Sequence, residues 1–219
     1  MSSMIKIWDL PTRLFHWSLA SLFVFMIVSG NSDDMVEWHF YAGYLLSGLL
    51  LFRVLWGLLG TRYARFSSFV FHPGETLSYL KSLFSSEHRA YAGHNPIGGL
   101  MVFALLLLLA VQSVTGMMST DDIIWYGPLY NLVDEETAGL AGYIHHELQL
   151  ILQLLVGLHI FAIIYHKVRF KESLAPAMLH GKKSHAESAQ PHEGISWIKL
   201  SLAAGSGSAL SYYLFTLPI

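Results

Sequence analysis

Cysteine is absent from the 219 residues. Its absence excludes disulfides, thiolate zinc sites, thiol nucleophiles, cysteine-ligated iron–sulfur clusters and covalently attached c-type haem. Charge is scarce as well: Asp, Glu, Lys and Arg make up 13% of the chain, about half the share of a soluble domain. The net charge of -2 provides no field of one sign to hold nucleic acid. What the chain has instead is 53% hydrophobic residues, gathered into unbroken blocks, and twelve histidines.

Five blocks have about the twenty residues that cross a hydrocarbon core: residues 14–30, 39–60, 97–117, 145–168 and 197–217. In lipid every backbone N–H and C=O needs an internal partner, so these blocks are expected to be helices. Lys6 and Arg13 precede the first block as in a signal peptide, but no small-x-small site closes it, and it is retained as a helix. Asn95 and Pro96 read as an N-cap and first helical position before the third block. Residues 72–84, with Pro73 near the start and Leu77, Leu80 and Phe84 at helical spacing, predict a short amphipathic helix on the membrane surface.

Lys and Arg are missing from two loops, and that fixes an expected orientation. All thirteen basic residues lie on one side of the five blocks, from Lys6 and Arg13 through Arg53, Arg62, Arg65, Lys81 and Arg89 to Lys167, Arg169, Lys171, Lys182, Lys183 and Lys199. The opposite loops carry Asp33, Asp34 and Glu37, and Asp121, Asp122, Asp134, Glu135 and Glu136. Basic residues collect on the cytoplasmic side. The N-terminus is therefore expected to be cytoplasmic and, with five spans, the C-terminus outside.

Ionisable side chains inside spans are costly and usually functional. His145 and His159 lie fourteen residues apart on one helix, about four turns, which puts two imidazoles on nearly one face at two depths ~21 Å apart. His16 of the first span falls at the inner depth and His39 of the second at the outer. Neutral imidazole is a good axial ligand for haem iron, and without cysteine the porphyrin is held non-covalently. The expected sites are two bis-histidine haem b groups, the inner on His16 and His159 and the outer on His39 and His145. His146 is the alternative outer ligand, since adjacent helical residues point about 100° apart. Arg53, fourteen residues after His39, stands at the inner depth, where it either meets a haem propionate or snorkels to headgroups. His166, beside Lys167, is read as a solvated helix end.

The predicted fold is all-α and integral to the membrane: a four-helix haem-binding transmembrane bundle plus a fifth C-terminal transmembrane helix. Residues 1–170 form the two-haem transmembrane bundle, 171–196 a polar cytoplasmic linker, and 197–219 the last helix. The linker is expected to be flexible; its His180, His185 and His192 could alternatively form a metal-binding tract. Ser201, Gly205 and Ala209 give the last helix a small-residue face suited to close packing.

Six local motifs occur in order: Trp8-Asp9-Leu10-Pro11-Thr12-Arg13-Leu14-Phe15-His16-Trp17, Arg53-Val54-Leu55-Trp56-Gly57, Arg62-Tyr63-Ala64-Arg65-Phe66-Ser67-Ser68-Phe69, Gly93-His94-Asn95-Pro96-Ile97-Gly98-Gly99, Gly127-Pro128-Leu129 and Ala177-Met178-Leu179-His180-Gly181-Lys182-Lys183. In these the chain resembles the bacterial diheme b-type cytochromes, the b561-like cytochromes and the cytochrome b subunits of nickel–iron hydrogenases. The likeness departs at His145-His146-Glu147, where the family has a single His-Glu, and it leaves the fifth block uncovered. It implies electron transfer between the quinone pool and a partner redox protein, either a periplasmic c-type cytochrome or a catalytic redox subunit. The same reading is compatible with a homo-oligomer.

An acidic loop over residues 121–136 suits docking of a basic cytochrome by charge steering. The segment 72–84 with His94 is the candidate quinone site. A histidine-lined proton or metal transporter is the alternative of a different class, although the spans show neither inverted repeats nor broken helices. A metal hydrolase is disfavoured because His145-His146-Glu147 lacks the His-Glu-x-x-His spacing.

Overall fold

The computed structural model describes residues 4–85, 90–120, 125–183 and 193–217. Seven helices are found among them: α1 (Leu10–Ser29), α2 (Val36–Leu59), α3 (Pro73–Ser82), α4 (Pro96–Met118), α5 (Glu135–Phe170), α6 (Leu174–His180) and α7 (Trp197–Phe215). Four of them, α1, α2 (with the 3-10 turn Asp33–Met35 before it), α4 and α5, are long and apolar enough to cross a membrane. Val24, Val28, Leu100, Leu107, Leu150, Leu154 and Phe161 are exposed on them, an arrangement that only lipid makes favourable. The expected fifth block is the helix α7; it is not among the four, and its Gly205, Ser206, Gly207 and Ser208 dilute its apolar character. Arg89, Asp121, Asp122, His185 and His192 lie outside the described residues.

The helix starts follow from local capping. Asp9 accepts the Thr12 N–H at 2.7 Å, Asn95 the Gly98 N–H at 2.7 Å, and Asp134 the Thr137 N–H at 2.7 Å, each satisfying an orphan donor of a first turn. The Asp134 cap explains why α5 begins ten residues before the expected block: Glu135 and Glu136 suit its first turn, and the helix extends past its apolar run. At α3, the His72 ring accepts the Gly74 N–H and Pro73 takes the first position.

The chain divides into two compact units. The first comprises residues 1–14, 54–104 and 156–200. Here β1 (Ile5–Lys6) pairs antiparallel with β2 (Lys182–Lys183), and Gly181, at φ 81, ends α6 in a left-handed conformation suited to glycine. Its carbonyl accepts the Ile7 and Trp8 N–H groups at 2.8 and 3.1 Å. Ile7, Trp8, Ala92 and Ala177 form the small core beside it. The stretch expected as a flexible linker is thus structured over α6 and β2, because its backbone is used to dock the segment before α1. Asp9, fully buried, also accepts hydrogen bonds from Trp56 Nε1 at 3.1 Å and Thr61 Oγ1 at 2.5 Å. The His94 ring lies 4.8 Å from Trp8 and 4.4 Å from Phe69, centre to centre.

The second unit comprises residues 15–53, 105–155 and 201–219. Leu46, Leu50, Leu109, Leu148 and Leu152 form its main core, and Tyr44, Met117 and Leu214 a second one. Ser47 Oγ and Ser113 Oγ share a hydrogen bond of 2.6 Å between α2 and α4. α7 packs on α2 backbone to backbone: a Cβ on Gly48 would run into the Gly207 carbonyl and Ser211 Oγ, while Ser211 Oγ donates to the Tyr44 carbonyl at 3.0 Å. The buried face of α7 is therefore Ala203, Gly207 and Leu214. The small-residue stripe expected to pack, Ser201, Gly205 and Ala209, is exposed, being turned by about 200° on the helix.

Candidate functional site

A cavity of about 390 Å³ lies within the second unit, lined by His39 and His145 together with Gly30, Gly43, Gly116 and Gly142. The imidazole rings of His39 and His145 face each other across 6.2 Å, centre to centre, with their planes 87° apart. Both rings are anchored through Nδ1. His145 Nδ1 lies 2.8 Å from the backbone oxygen of Gln112; a carbonyl only accepts, so Nδ1 carries the proton and Nε2 keeps a lone pair. The Gln112 side chain returns the contact, its Nε2 donating to the His145 carbonyl at 2.9 Å. His39 Nδ1 lies 3.0 Å from Ser29 Oγ, whose own proton points to the Met26 carbonyl at 3.4 Å. Ser29 Oγ accepts from His39 in the tautomer that carries the proton on Nδ1, the one that would free Nε2 for a metal.

Glycine makes the room for both rings. A Cβ at Gly30 would stand 2.9 Å from His39 Cε1, and one at Gly116 would stand 2.5 Å from His145 Cε1. Each imidazole therefore rests directly on the backbone of a neighbouring helix end. Two imidazoles 6.2 Å apart beside a glycine-lined cavity, each engaged through Nδ1, are a donor pair that could hold one metal centre through Nε2.

The structure brings two of the four expected histidines together. His146 lines the same cavity but is exposed. His16 lies half-buried on α1 in the second unit, its ring 5.1 Å from that of Trp17. His159 lies half-buried on α5 in the first. Arg53 is buried in the second unit, its guanidinium 5.9 Å from the centre of the Phe15 ring. Of the residues expected around a quinone, His94 is enclosed by Trp8 and Phe69, whereas His72 is an exposed helix cap.

His166 corrects an expectation. It is buried, not solvated, and its Nδ1 lies 2.9 Å from Glu172 Oε2. The cause is local: Lys171 takes φ 59, turning the chain so that Glu172 folds back onto His166. Nearby in the first unit Lys183 donates to the Tyr91 carbonyl at 2.7 Å, and burial pushes its ammonium below the usual lysine range.

Ser29, Gly30, Gln112 and Gly116 were not singled out from the sequence. Gln112 was detectable, as an amide inside the most apolar helix, where a polar side chain requires a reason.

Four helices long and apolar enough to cross a membrane and a cavity with two paired imidazoles, in a chain without thiols, define a helical membrane protein with a site suited to a histidine-held cofactor. The family model for prokaryotic cytochrome b561 matches residues 7–181. The chain belongs to that family, and so is a membrane b-type cytochrome that carries haem and transfers electrons. Relatives named "Probable Ni/Fe-hydrogenase B-type cytochrome subunit" are similar over most of its length. That of Bradyrhizobium diazoefficiens is 24% identical over 82% of this chain and 85% of its own, and that of Azotobacter vinelandii 26% over 81% and 87%. A third relative, "Probable Ni/Fe-hydrogenase 1 B-type cytochrome subunit" of Escherichia coli K12, is 24% identical over 82% and 90%. No solved structure matches the chain significantly.

Proposed function

We propose that the protein is a diheme cytochrome b of the bacterial inner membrane, passing electrons between the quinone pool and a partner redox protein. The geometry of His39 and His145 carries this reading. An iron–imidazole bond of about 2 Å, plus about 1.1 Å from the ligating nitrogen to the ring centre, separates two trans imidazole centres by about 6 Å. The 6.2 Å between these rings supports one haem that His39 and His145 would hold through Nε2, since Nδ1 of each ring is engaged elsewhere. The second haem is assigned to His16 and His159 from the sequence alone, His159 lying fourteen residues after His145 and His16 at the same inner depth of its span. Haem iron supplies the one-electron carrier, and imidazole on both faces leaves oxygen no coordination site.

The remaining roles follow from the same reading. Arg53, buried in a span, neutralises a propionate. α7 is the fifth transmembrane helix, and the one-sided basic residues put the N-terminus in the cytoplasm and the C-terminus in the periplasm. The names of the relatives favour a catalytic redox subunit of the Ni/Fe-hydrogenase kind as the partner. The acidic residues Asp33, Asp34, Glu37, Asp134, Glu135 and Glu136 support instead a basic periplasmic c-type cytochrome.

The test is the purified full chain in detergent. Two haems per chain, titrating as two one-electron waves and reduced by a quinol, are expected. A single haem, or one that survives replacement of every one of His16, His39, His145 and His159, would overturn the assignment. The two partners separate by salt: reduction of a soluble cytochrome c should slow steeply with ionic strength if charge steers it, whereas an anchored subunit co-purifies.

A further inference from the structure

The two rings of the cavity are seated in parallel ways. Each has an oxygen from a neighbouring helix at its Nδ1, Ser29 Oγ for His39 and the Gln112 carbonyl for His145. Each has a glycine beneath it at a distance no side chain could share, Gly30 and Gly116. A hydrogen bond fixes the tautomer and the rotation of a ring about its ligand bond, and the bare backbone fixes its tilt. Rotation is a free variable in a bis-imidazole site, because either ring can turn about the iron–nitrogen axis without changing that bond. The planes of the two rings stand 87° apart.

We propose that Ser29 and Gln112, with Gly30 and Gly116, are the positioning residues that hold the imidazole planes of the His39–His145 haem perpendicular and thereby set its electronic state and potential. The proposal rests on the ligand reading given above. Each imidazole mixes its filled π orbital with the iron dπ orbital normal to its plane. Parallel rings raise one dπ orbital above the other; perpendicular rings raise both equally. Ferric iron between perpendicular rings then has nearly degenerate dπ orbitals, and its EPR spectrum is a single large-g feature in place of a three-line rhombic spectrum. The hydrogen bonds act on the potential in a known direction: an Nδ1–H donating to oxygen makes Nε2 a stronger donor, which stabilises the ferric state. The seats are unequal, since a peptide carbonyl is the better acceptor and Ser29 Oγ the weaker. Ser29 is accordingly the adjustable half of the pair.

The test is EPR of the oxidised full chain with a redox titration and a haem-to-protein ratio. The wild type should show a large-g signal that disappears in His145→Ala, which assigns it to this site. Ser29→Ala should keep both haems, move that signal, and shift the midpoint of the same haem upward, while leaving the other haem at its wild-type values. Ser29→Thr, which keeps the hydroxyl, should restore both. Only rhombic spectra in the wild type would overturn the proposal, and so would wild-type EPR and midpoint in Ser29→Ala with haem retained. Loss of this haem in Ser29→Thr as well as in Ser29→Ala would overturn the role of the hydroxyl as a seat. Full haem in both His39→Ala and His145→Ala would instead overturn the ligand reading itself.

Discussion

Alanine at Gly116 adds one methyl group at a place where the structure has none to spare. Its Cβ would lie 2.5 Å from Cε1, 2.8 Å from Nδ1 and 3.3 Å from Nε2 of His145. Non-bonded carbons settle near 3.5 Å, so the ring must recoil by about 1 Å. Recoil directly away stretches the 2.8 Å bond from Nδ1 to the Gln112 carbonyl past any hydrogen-bond limit, at a cost of about 1 kcal/mol. It also carries Nε2 by about half a metal–nitrogen bond length, which an axial bond does not tolerate. Gly30→Ala, with its Cβ at 2.9 Å from His39 Cε1, requires a shift only about half as large. Gly139→Ala on α5 meets nothing within 4 Å and should stabilise by about 0.5–1 kcal/mol through helix propensity alone. One chemical change thus has a graded outcome. Haem per chain, read from the pyridine haemochrome, should fall from two towards one in Gly116→Ala, with a smaller loss or a lowered haem-release temperature in Gly30→Ala and neither in Gly139→Ala. Gly116→Ala with the haem content and release temperature of Gly139→Ala would refute the argument that the ring lies on that backbone.

Three further outcomes are expected. His145→Ala should lose one haem while His146→Ala keeps two, because only His145 faces His39; equal losses in haem assays would refute this. Asp9→Ala should lower stability by about 3 kcal/mol, since each buried donor left unpaired costs about 1–3 kcal/mol and Asp9 serves Thr12, Trp56 and Thr61; unfolding in mixed micelles measures it. Gly48→Leu should detach α7, and because the chain has no cysteine, maleimide labelling of a single Ala203→Cys reads the change directly: buried in the parent, reactive after the substitution.

The sequence read the helices well and their contacts poorly, and the reason is physical. An apolar run announces a span because lipid imposes it, and caps such as Asn95 before Pro96 announce a start. The beginning of α5 was misjudged because a run marks where lipid ends and not where the helix does. For α7, two stripes of small residues lie on opposite faces, Ser201/Gly205/Ala209 and Ala203/Gly207/Ser211, and periodicity cannot choose between them. Only Gly48 on α2 does, by offering bare backbone at the second stripe. Nothing in the sequence neighbours of His166 shows that Lys171 turns the chain back and brings Glu172 onto it. His39 and His145 were legible as a pair from their depth; Ser29 and Gln112 were not, since depth does not reveal which polar atom meets which nitrogen. The motifs at Trp8, Trp56, His94 and Gly181 turn out largely to be one another's packing partners in the first unit.

The seats of His39 and His145 also bear on how the protein is made. Ser29 and His39 are ten residues apart, across the turn between α1 and α2, while Gln112 and His145 are separated by thirty-three, across the turn between α4 and α5. Each seat belongs to one helical hairpin and draws on no residue of the other. Docking of one hairpin on the other brings the second ligand opposite the first, so that assembly of the membrane protein and creation of the cofactor pocket are a single event.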